Sequence, residues 1–322
     1  MNKSLLLKEI IKLQKLRAEK AKNIIGMAIQ NPVKARSFYQ EILESTNNYI
    51  RYQTTNYELD LYFIAYKTKS QFSLEEFYSL IPFFSVHTLP PEYYLFQILD
   101  IFDFFNAKKG EEIRVKLFLH EKDKISVFNE IGFHPFSYSM IGSTEDGMNC
   151  IKEELKDLNE EVEIYNMSFN RDYKTSVEQL FNLSFENEPE NWEFPLNPSY
   201  KDFLRKRETK IASMKEEGLQ ILTKVDKKPV GYISAYIDRA ELFPQDTGII
   251  FEMVIHPDYH NSKVRYMLYN EALQFFKKHN MNYFFGTSGS KNVLALAHKL
   301  HRKVFSLSMR LVYSPDLRDR KL

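Results

Sequence analysis

Cysteine is almost missing: Cys150 is the only one in 322 residues. An intrachain disulfide is therefore excluded, and a reducing, cytoplasmic setting is expected. Long apolar runs are missing too. The N-terminal stretch SLLLKEIIKLQKL is broken by Lys8, Glu9, Lys12 and Lys15, so neither a secretory apolar region nor a membrane span is expected. Leu6, Ile10, Leu13 and Leu16 form one stripe, which reads as an amphipathic helix packed on its own domain, with a membrane-surface helix as the alternative. Charge of one sign is also lacking. Lys and Arg total 44 against 43 Asp and Glu, a formal net charge of +1, and the charges are interspersed. Such a chain has no global field to gather nucleic acid, and no nucleic-acid partner is expected. No low-complexity tract is present.

What is there suffices for sizeable cores: 43% of residues are hydrophobic and 15% aromatic, over a length that suggests two domains. Residues 3–46 read as helices broken at Pro32, and Tyr57–Tyr66 as a strand. Ser73-Leu-Glu-Glu76 has the capping-box pattern and predicts a helix around Leu74–Leu80. Pro90-Pro91 precedes an aromatic helix, Tyr93–Phe105. A strand at Ile113–Leu119, a helix at Lys122–Ile131 stopped by Gly132, and a strand at Phe133–Ile141 follow. Gly142-Ser-Thr-Glu-Asp-Gly147, small and polar, is the linker candidate, dividing the chain into domains 1–145 and 146–322. Beyond it come a helix at Ile151–Leu158, a strand at Val162–Met167, and helices at Lys174–Phe185 and Ser199–Glu217. A hairpin follows, Leu219–Val225 with Val230–Ile237 around Asp226-Lys-Lys-Pro229. The tail alternates: strand Gly248–Ile255, a helix, strand Tyr283–Thr287, helix Asn292–Arg302 and strand Phe305–Tyr313.

The stretch Gly248–Leu268, GIIFEMVIHPDYHNSKVRYML, organises the second half. The strand is apolar on both pleat faces, with Ile249, Phe251, Met253 and Ile255 on one and Ile250 and Val254 on the other, so both faces should be covered. Its one charge is Glu252. Pro257 ends the ladder, and Ser262 is a suitable N-cap for the helix that carries Leu268, Ala272, Leu273 and Phe276. A buried strand feeding a helix through a short polar turn places backbone N–H groups where an anion can sit.

This stretch resembles the central motif of the GCN5-related N-acetyltransferases (GNAT). In that family a strand ending Val-x-Pro is followed by Arg/Gln-x-x-Gly-x-Gly/Ala and a long helix, and the loop holds the coenzyme A pyrophosphate. Pro257 matches. His260 stands at the Arg/Gln position, and Lys263 and Arg265 stand at the two glycine positions. Glycine admits close backbone approach, whereas Lys263 and Arg265 offer side-chain charge to phosphate or obstruct it. The resemblance covers about residues 160–313. Within it, Asn292-x-x-Ala295 matches, Lys299 occupies the family's tyrosine position, and Lys303-Val304-Phe305 replaces its Gly-Phe. Residues 1–141 are similar more weakly, through element order and Gly132-Phe133, with Phe128 at the tyrosine position. There Pro91-Glu92-Tyr93-Tyr94-Leu95-Phe96 stands in place of a glycine loop, so that half resembles a GNAT-like domain without its coenzyme site.

The resemblance implies an α/β (α+β, GNAT-like) fold of two domains, each a mixed, mostly antiparallel sheet flanked by helices. It implies acetyl-CoA as acyl donor, bound by the backbone of Met253, Val254 and Ile255, by the turn His260, Asn261, Ser262, Lys263, Val264 and Arg265, and by Asn292. Amine acylation needs a base for the ammonium proton and an acid for the departing thiolate. Glu252 is the base candidate, because a lone carboxylate in a buried strand has a raised pKa; pairing with a cation is the alternative. His298 is the acid candidate, beside the position of the missing tyrosine; Tyr232 and Tyr283 are further phenols. His298 and His301 at i, i+3 have metal-compatible spacing but no third ligand, and no metal is expected. Glu188, Glu190 and Trp192, with Glu186 and Glu193, suit a cationic amine by charge and cation–π contact; a solvated acidic loop is the alternative. The implied function is an acyl-CoA-dependent N-acyltransferase, an N-acetyltransferase acting on a small-molecule or peptide amine. A non-catalytic GNAT-fold ligand- or protein-binding module is the alternative. The near-neutral charge argues against a third reading, a tandem GNAT-like transferase using charged tRNA.

Overall fold

The computed structural model describes residues 2–28, 30–55, 58–69, 76–84, 89–156, 162–167, 169–187, 198–240, 242–289 and 291–320. The chain forms two compact units. The first holds residues 1–70, 74–138 and 305–322, and the second holds 71–73 and 139–304.

In the first unit, helices α1 (Lys3–Ile25) and α2 (Pro32–Glu44) precede strands β1 (Tyr49–Thr55), β2 (Glu58–Lys69) and β3 (Glu76–Phe84). Helix α3 (Pro91–Phe104), strand β4 (Glu112–Phe118) and helix α4 (Lys122–Glu130) follow. Asn2 caps α1 through Leu5 N, and Asn31 caps α2 ahead of Pro32, which supplies the helical φ without needing a donor. The buried stripe of α1 runs Leu6, Ile10, Gln14, Arg17, Ala21 and Ile25, and Leu16 is exposed. A period of 3.6 residues drifts off the spacing that suggested Leu16. Of the helix expected at Leu74–Leu80, Leu74 and Glu75 lie outside the described residues, and Glu76–Leu80 belong instead to β3. Its alternating burial at Tyr78, Leu80 and Phe84 is a strand's period of two, and pairing with β2 from Leu61↔Phe84 to Lys69↔Glu76 overrides the capping-box pattern.

The last strand, β11 (Lys303–Val312), lies in this first unit. It pairs antiparallel with β4 from Ser306↔Phe118 to Val312↔Glu112, and Leu307, Met309 and Leu311 join the core formed by Ile113, Val115, Leu117 and Phe128. The sequence order had attached this strand to the second half.

The second unit is built from strand β5 (His134–Ser143, whose residues from Ser139 belong here), helix α5 (Thr144–Leu155), strand β6 (Glu163–Asn166) and the short helix α6 (Phe169–Asp172). A π-turn at Tyr173–Val177 leads into α7 (Glu178–Asn187). Then come α8 (Pro198–Ser213), the strands β7 (Gly218–Val225), β8 (Lys228–Asp238) and β9 (Thr247–Ile255), helix α9 (Val264–Lys278), strand β10 (Tyr283–Ser288) and helix α10 (Lys291–Lys299). The linker expected at Gly142–Gly147 is regular structure. It spans the end of β5 and the first turn of α5, which Ser143 caps through Asp146 N, and a Cβ on Gly142 or Gly147 would strike the Phe284 ring or Leu273. Those glycines serve close packing rather than mobility.

Strands β6, β7, β8 and β9 pair antiparallel in that order, and β10 pairs parallel with β9. The β7–β8 turn puts Asp226 and Lys227 at φ 48° and 64°, the left-handed pair of a two-residue hairpin turn. Successive residues of β8 enter opposite cores. Ile233 packs with α9 residues such as Leu268 and Ala272, while Tyr232 packs with Tyr173, Phe181 and Leu204. The sheet is thus covered on both faces, as the doubly apolar β9 requires.

Candidate functional site

Strand β9 parts from β10 midway. The parallel register is Phe284↔Gly248 and Phe285↔Ile249, whereas on its other side β9 continues against β8 through Met253↔Ile233, Val254↔Tyr232 and Ile255↔Gly231. A bulge lies between Ser234 and Ala235, so Ser234 faces Glu252 and Ala235 faces Ile250. Bulges sharpen twist and re-aim side chains. Here the half-buried residues of an otherwise buried strand are Phe251, Glu252 and Met253. The Glu252 carboxylate accepts a 3.2 Å hydrogen bond from Met253 N.

The turn after β9 is a 3₁₀ turn, Pro257–Tyr259, closed by His256 Nδ1, which accepts from Asp258 N. His260 Nε2–H donates to the Ile255 carbonyl at 3.0 Å, tying the turn to the strand it leaves. Lys263, not Ser262, is the N-cap residue of α9; the Ser262 hydroxyl accepts from Val264 N at 3.2 Å one position away. Several amides of the turn are engaged within it: His260 N with Pro257 O, Ser262 N with Tyr259 O, and Tyr266 N with Lys263 O. The cations are the notable donors. Half-buried Arg265 donates from Nη1 to the His260 carbonyl at 3.3 Å and lies over the Tyr266 ring, and its Nε is buried without a hydrogen-bond partner. An orphaned guanidinium N–H beside a helix N-terminus fits an anion better than a neutral ligand. The residues present therefore fit a phosphate-bearing coenzyme by side-chain charge.

The same turn in the first unit is unsuited to that use. Helix α3 begins Pro90-Pro91-Glu92, so two of the positions that would present N–H groups have none, and a carboxylate occupies the first turn.

His298 is exposed on α10. Asn292 lies in the first turn of α10, but its side chain is outside the described residues, as are Glu188, Glu190 and Trp192. The end of α10 corrects one motif assignment. In the first unit Gly132 has φ 101°, and Phe133 N bonds back to Phe128 O; in the second, His301 has φ 53°, and Arg302 N bonds back to Ala297 O. His301-Arg302, not Lys303-Val304-Phe305, therefore fills the Gly-Phe role, and Arg302 sits in the buried slot that Phe133 holds in the first unit. Sequence spacing missed this because neither residue type resembles Gly or Phe.

Sequence reasoning also missed two buried charged groups. Glu208 on α8 has no exposed surface; its carboxylate accepts from Tyr232 OH at 2.5 Å, Gln220 Nε2 at 2.6 Å and Ser234 Oγ at 2.7 Å. Burial pushes its pKa up to about 7 against those three donors. Arg302 donates to Tyr269 OH and the Met140 carbonyl and lies over the Phe284 ring, with its Nε unpartnered and its pKa lowered by burial. A Cβ on Gly286, the residue after the last β9–β10 pair, would lie 2.8 Å from its Nη2 and 3.5 Å from the Ile250 carbonyl. Arg302 thus packs on the face of β10, over Phe284 and Gly286. The available sequence signal was a charged residue, Arg302, between the end of a helix and the apolar strand that follows it.

Residues 177–305 match the sequence profile of the acetyltransferase (GNAT) family. No curated protein matches the chain. Among solved structures, a GCN5-related N-acetyltransferase from Sphaerobacter thermophilus aligns over 95% of this chain and 92% of its own, with a TM-score of 0.56 at 10% identity. At that identity the likeness is one of fold. A tandem GNAT protein from the clavulanic acid biosynthesis pathway aligns over 98% and 97% with a TM-score of 0.49 at 9% identity. A GCN5-related N-acetyltransferase from Kribbella flavida aligns over 84% and 93% with a TM-score of 0.45 at 11% identity.

Proposed function

We propose that this chain, whose residues 177–305 carry an acetyltransferase (GNAT) domain, transfers an acetyl group to the amine of a small molecule or peptide. The observation that carries the reading is the parting of β9 from β10 after Ile249, which leaves Met253–Ile255 paired on the β8 side and sets Glu252 half-buried beside the gap. The activity is assigned to the second unit, and the first is its degenerate counterpart.

Acetyl-CoA is the proposed donor, and when bound it supplies an activated acyl thioester. The backbone of Met253, Val254 and Ile255 would hold its arm, and the turn His260, Asn261, Ser262, Lys263, Val264 and Arg265 its phosphates, with Asn292 contributing from α10. Arg265, with its orphaned Nε, is the principal phosphate ligand in this assignment. In the net exchange an amine and a thioester become an amide and a thiol, the amine's proton ending on the thiol. Before that exchange Glu252 takes one proton from the acceptor's ammonium and releases it to solvent, leaving a neutral nucleophilic amine. The second proton, lost by nitrogen as the amide forms, goes to the departing thiolate, and His298, exposed on α10, is assigned its delivery.

Calorimetric titration of the purified chain with acetyl-CoA, followed by thiol release with a panel of amines, tests the reading. Binding with turnover supports it. Saturable binding without turnover for any amine, unchanged by Glu252→Gln, would assign the domain to ligand binding instead. In an active enzyme Glu252→Gln is expected to lower kcat by about 10²–10⁴-fold while leaving coenzyme affinity within twofold or so.

A further inference from the structure

We infer that the amine acceptor also carries an anionic group, a carboxylate or a phosphate, held in the cleft between α6, α7 and α8; the inference rests on the acyltransferase reading above. A cavity of about 470 Å³ opens there, room enough for a small metabolite. Lys174, Lys201 and Arg205 line it. Among the described residues, none of these three side chains has an ion-pair or hydrogen-bond partner. Of the two carboxylates lining the cleft, Asp202 is engaged by Lys206 at 2.6 Å, which leaves Glu178. Among the described residues the cleft therefore presents an excess of cationic groups without ion-pair partners.

Its walls strengthen that charge. Phe169, Tyr173 and Phe181 contribute aromatic surface against which the carbon body of a ligand can pack, and the Phe169 and Tyr173 rings lie 4.8 Å apart. Tyr173 links the cleft to β9, because it packs in one core with Val254 and Phe251, the strand residues on either side of Glu252. The ammonium end of an acceptor would face Glu252 and Glu178, and its anionic end would face Arg205, Lys201 and Lys174. The acidic residues 186–193 suggested a purely cationic amine. The described walls of the cleft carry mostly the opposite sign and select an amine bearing negative charge.

The test is steady-state thiol release from acetyl-CoA with four short amines: propylamine, 1,4-diaminobutane, β-alanine and O-phosphoethanolamine. One of the two anionic amines is expected to exceed both others in kcat/KM by about tenfold or more, and which one distinguishes carboxylate from phosphate. Arg205→Gln and Lys201→Gln should each shrink that ratio roughly tenfold. Transfer that prefers propylamine or diaminobutane, or a ratio untouched by both changes, overturns the inference while leaving the transferase standing. Absence of thiol release with every amine sinks the transferase reading instead. Calorimetric titration of the coenzyme-free chain with β-alanine and O-phosphoethanolamine then decides the cleft alone: binding that weakens in Arg205→Gln supports it, and no binding overturns it.

Discussion

Glu208 and Glu121 are both buried glutamates, and their surroundings drive them in opposite directions. Burial raises both, but Glu121 receives Arg17 Nε and Nη2 at 2.7 and 2.6 Å and Lys124 Nζ at 2.6 Å, and these cations hold it down at about 2. Among the described residues Glu208 has only neutral hydrogen-bond donors, and burial outweighs them and the nearby Arg207 charge, raising it to about 7. Protonated, it keeps its partners, since the hydroxyls of Tyr232 and Ser234 can accept as well as donate. Its folded pKa lies above the unfolded value of 4.5, so its stabilising contribution is fully present below pH 4.5 and is lost as pH rises to about 7. A shift of this size is worth on the order of 3 kcal/mol. Urea unfolding followed across that window should show stability falling with pH in the wild type, and the fall should shrink in Glu208→Gln to the part left by Glu271, whose carboxyl pKa burial also raises. An unchanged slope in the variant would remove Glu208 as its source. Arg302 gives the complementary residue-scale prediction. Among the described residues it is a buried cation without a carboxylate partner, in a slot that the first unit fills with Phe133, and apolar replacement even of buried ion pairs is often neutral or stabilising. Arg302→Met should match or exceed the wild-type melting temperature; a fall of several degrees would mean that the charge is compensated.

At the scale of elements, the β9–turn–α9 unit decides how phosphate is held. With Lys263 and Arg265 where the GNAT motif has glycines, affinity should depend on charge that salt screens over about 8–10 Å. Replacing both by glycine is expected to weaken acetyl-CoA binding several-fold to about thirtyfold and to flatten its dependence on ionic strength. Calorimetry between low and high salt reads both effects. Binding that appears only in the double variant would show the two side chains to be obstructions. The His260 link to the Ile255 carbonyl keeps the turn seated on the strand, so the change should act on the ligand more than on the fold.

For the molecule as a whole, the last strand is the sensitive point. Phe305, Leu307, Met309 and Leu311 of β11 are all buried, the last three in the core of the first unit, and the strand also carries the β4 ladder. Burial of four such side chains contributes roughly 6–12 kcal/mol, which equals a typical domain's entire margin. Truncation after Arg302 should therefore unfold the first unit, although residues 139–302 separate Tyr138 from the strand it needs. Residues 1–138 should fold only when 303–320 are supplied, fused or as a peptide. Cooperative unfolding of 1–138 alone, seen by near-UV circular dichroism, would refute this.

The sequence by itself determined the local elements wherever one signal acted without a rival. The two-faced apolar run of β9, the hairpin around Asp226–Pro229, the helix carrying Leu268, Ala272 and Phe276, and the glycine stop at Gly132 all stand where periodicity and turn chemistry put them. The family motif around Pro257 was legible for the same reason, being contiguous. Tertiary structure decided whatever depended on partners distant in sequence. Residues 76–84 are a strand because β2 pairs with them, although a capping box precedes them. Gly142 and Gly147 are packing sites because Phe284 and Leu273 press on them, not hinges. Strand β11 joins β4 because a strand's apolar face does not specify which sheet it completes. Glu208, Arg302 and the cations of the α6–α8 cleft were invisible because charge on a helix reads as solvent-facing until the fold removes the solvent.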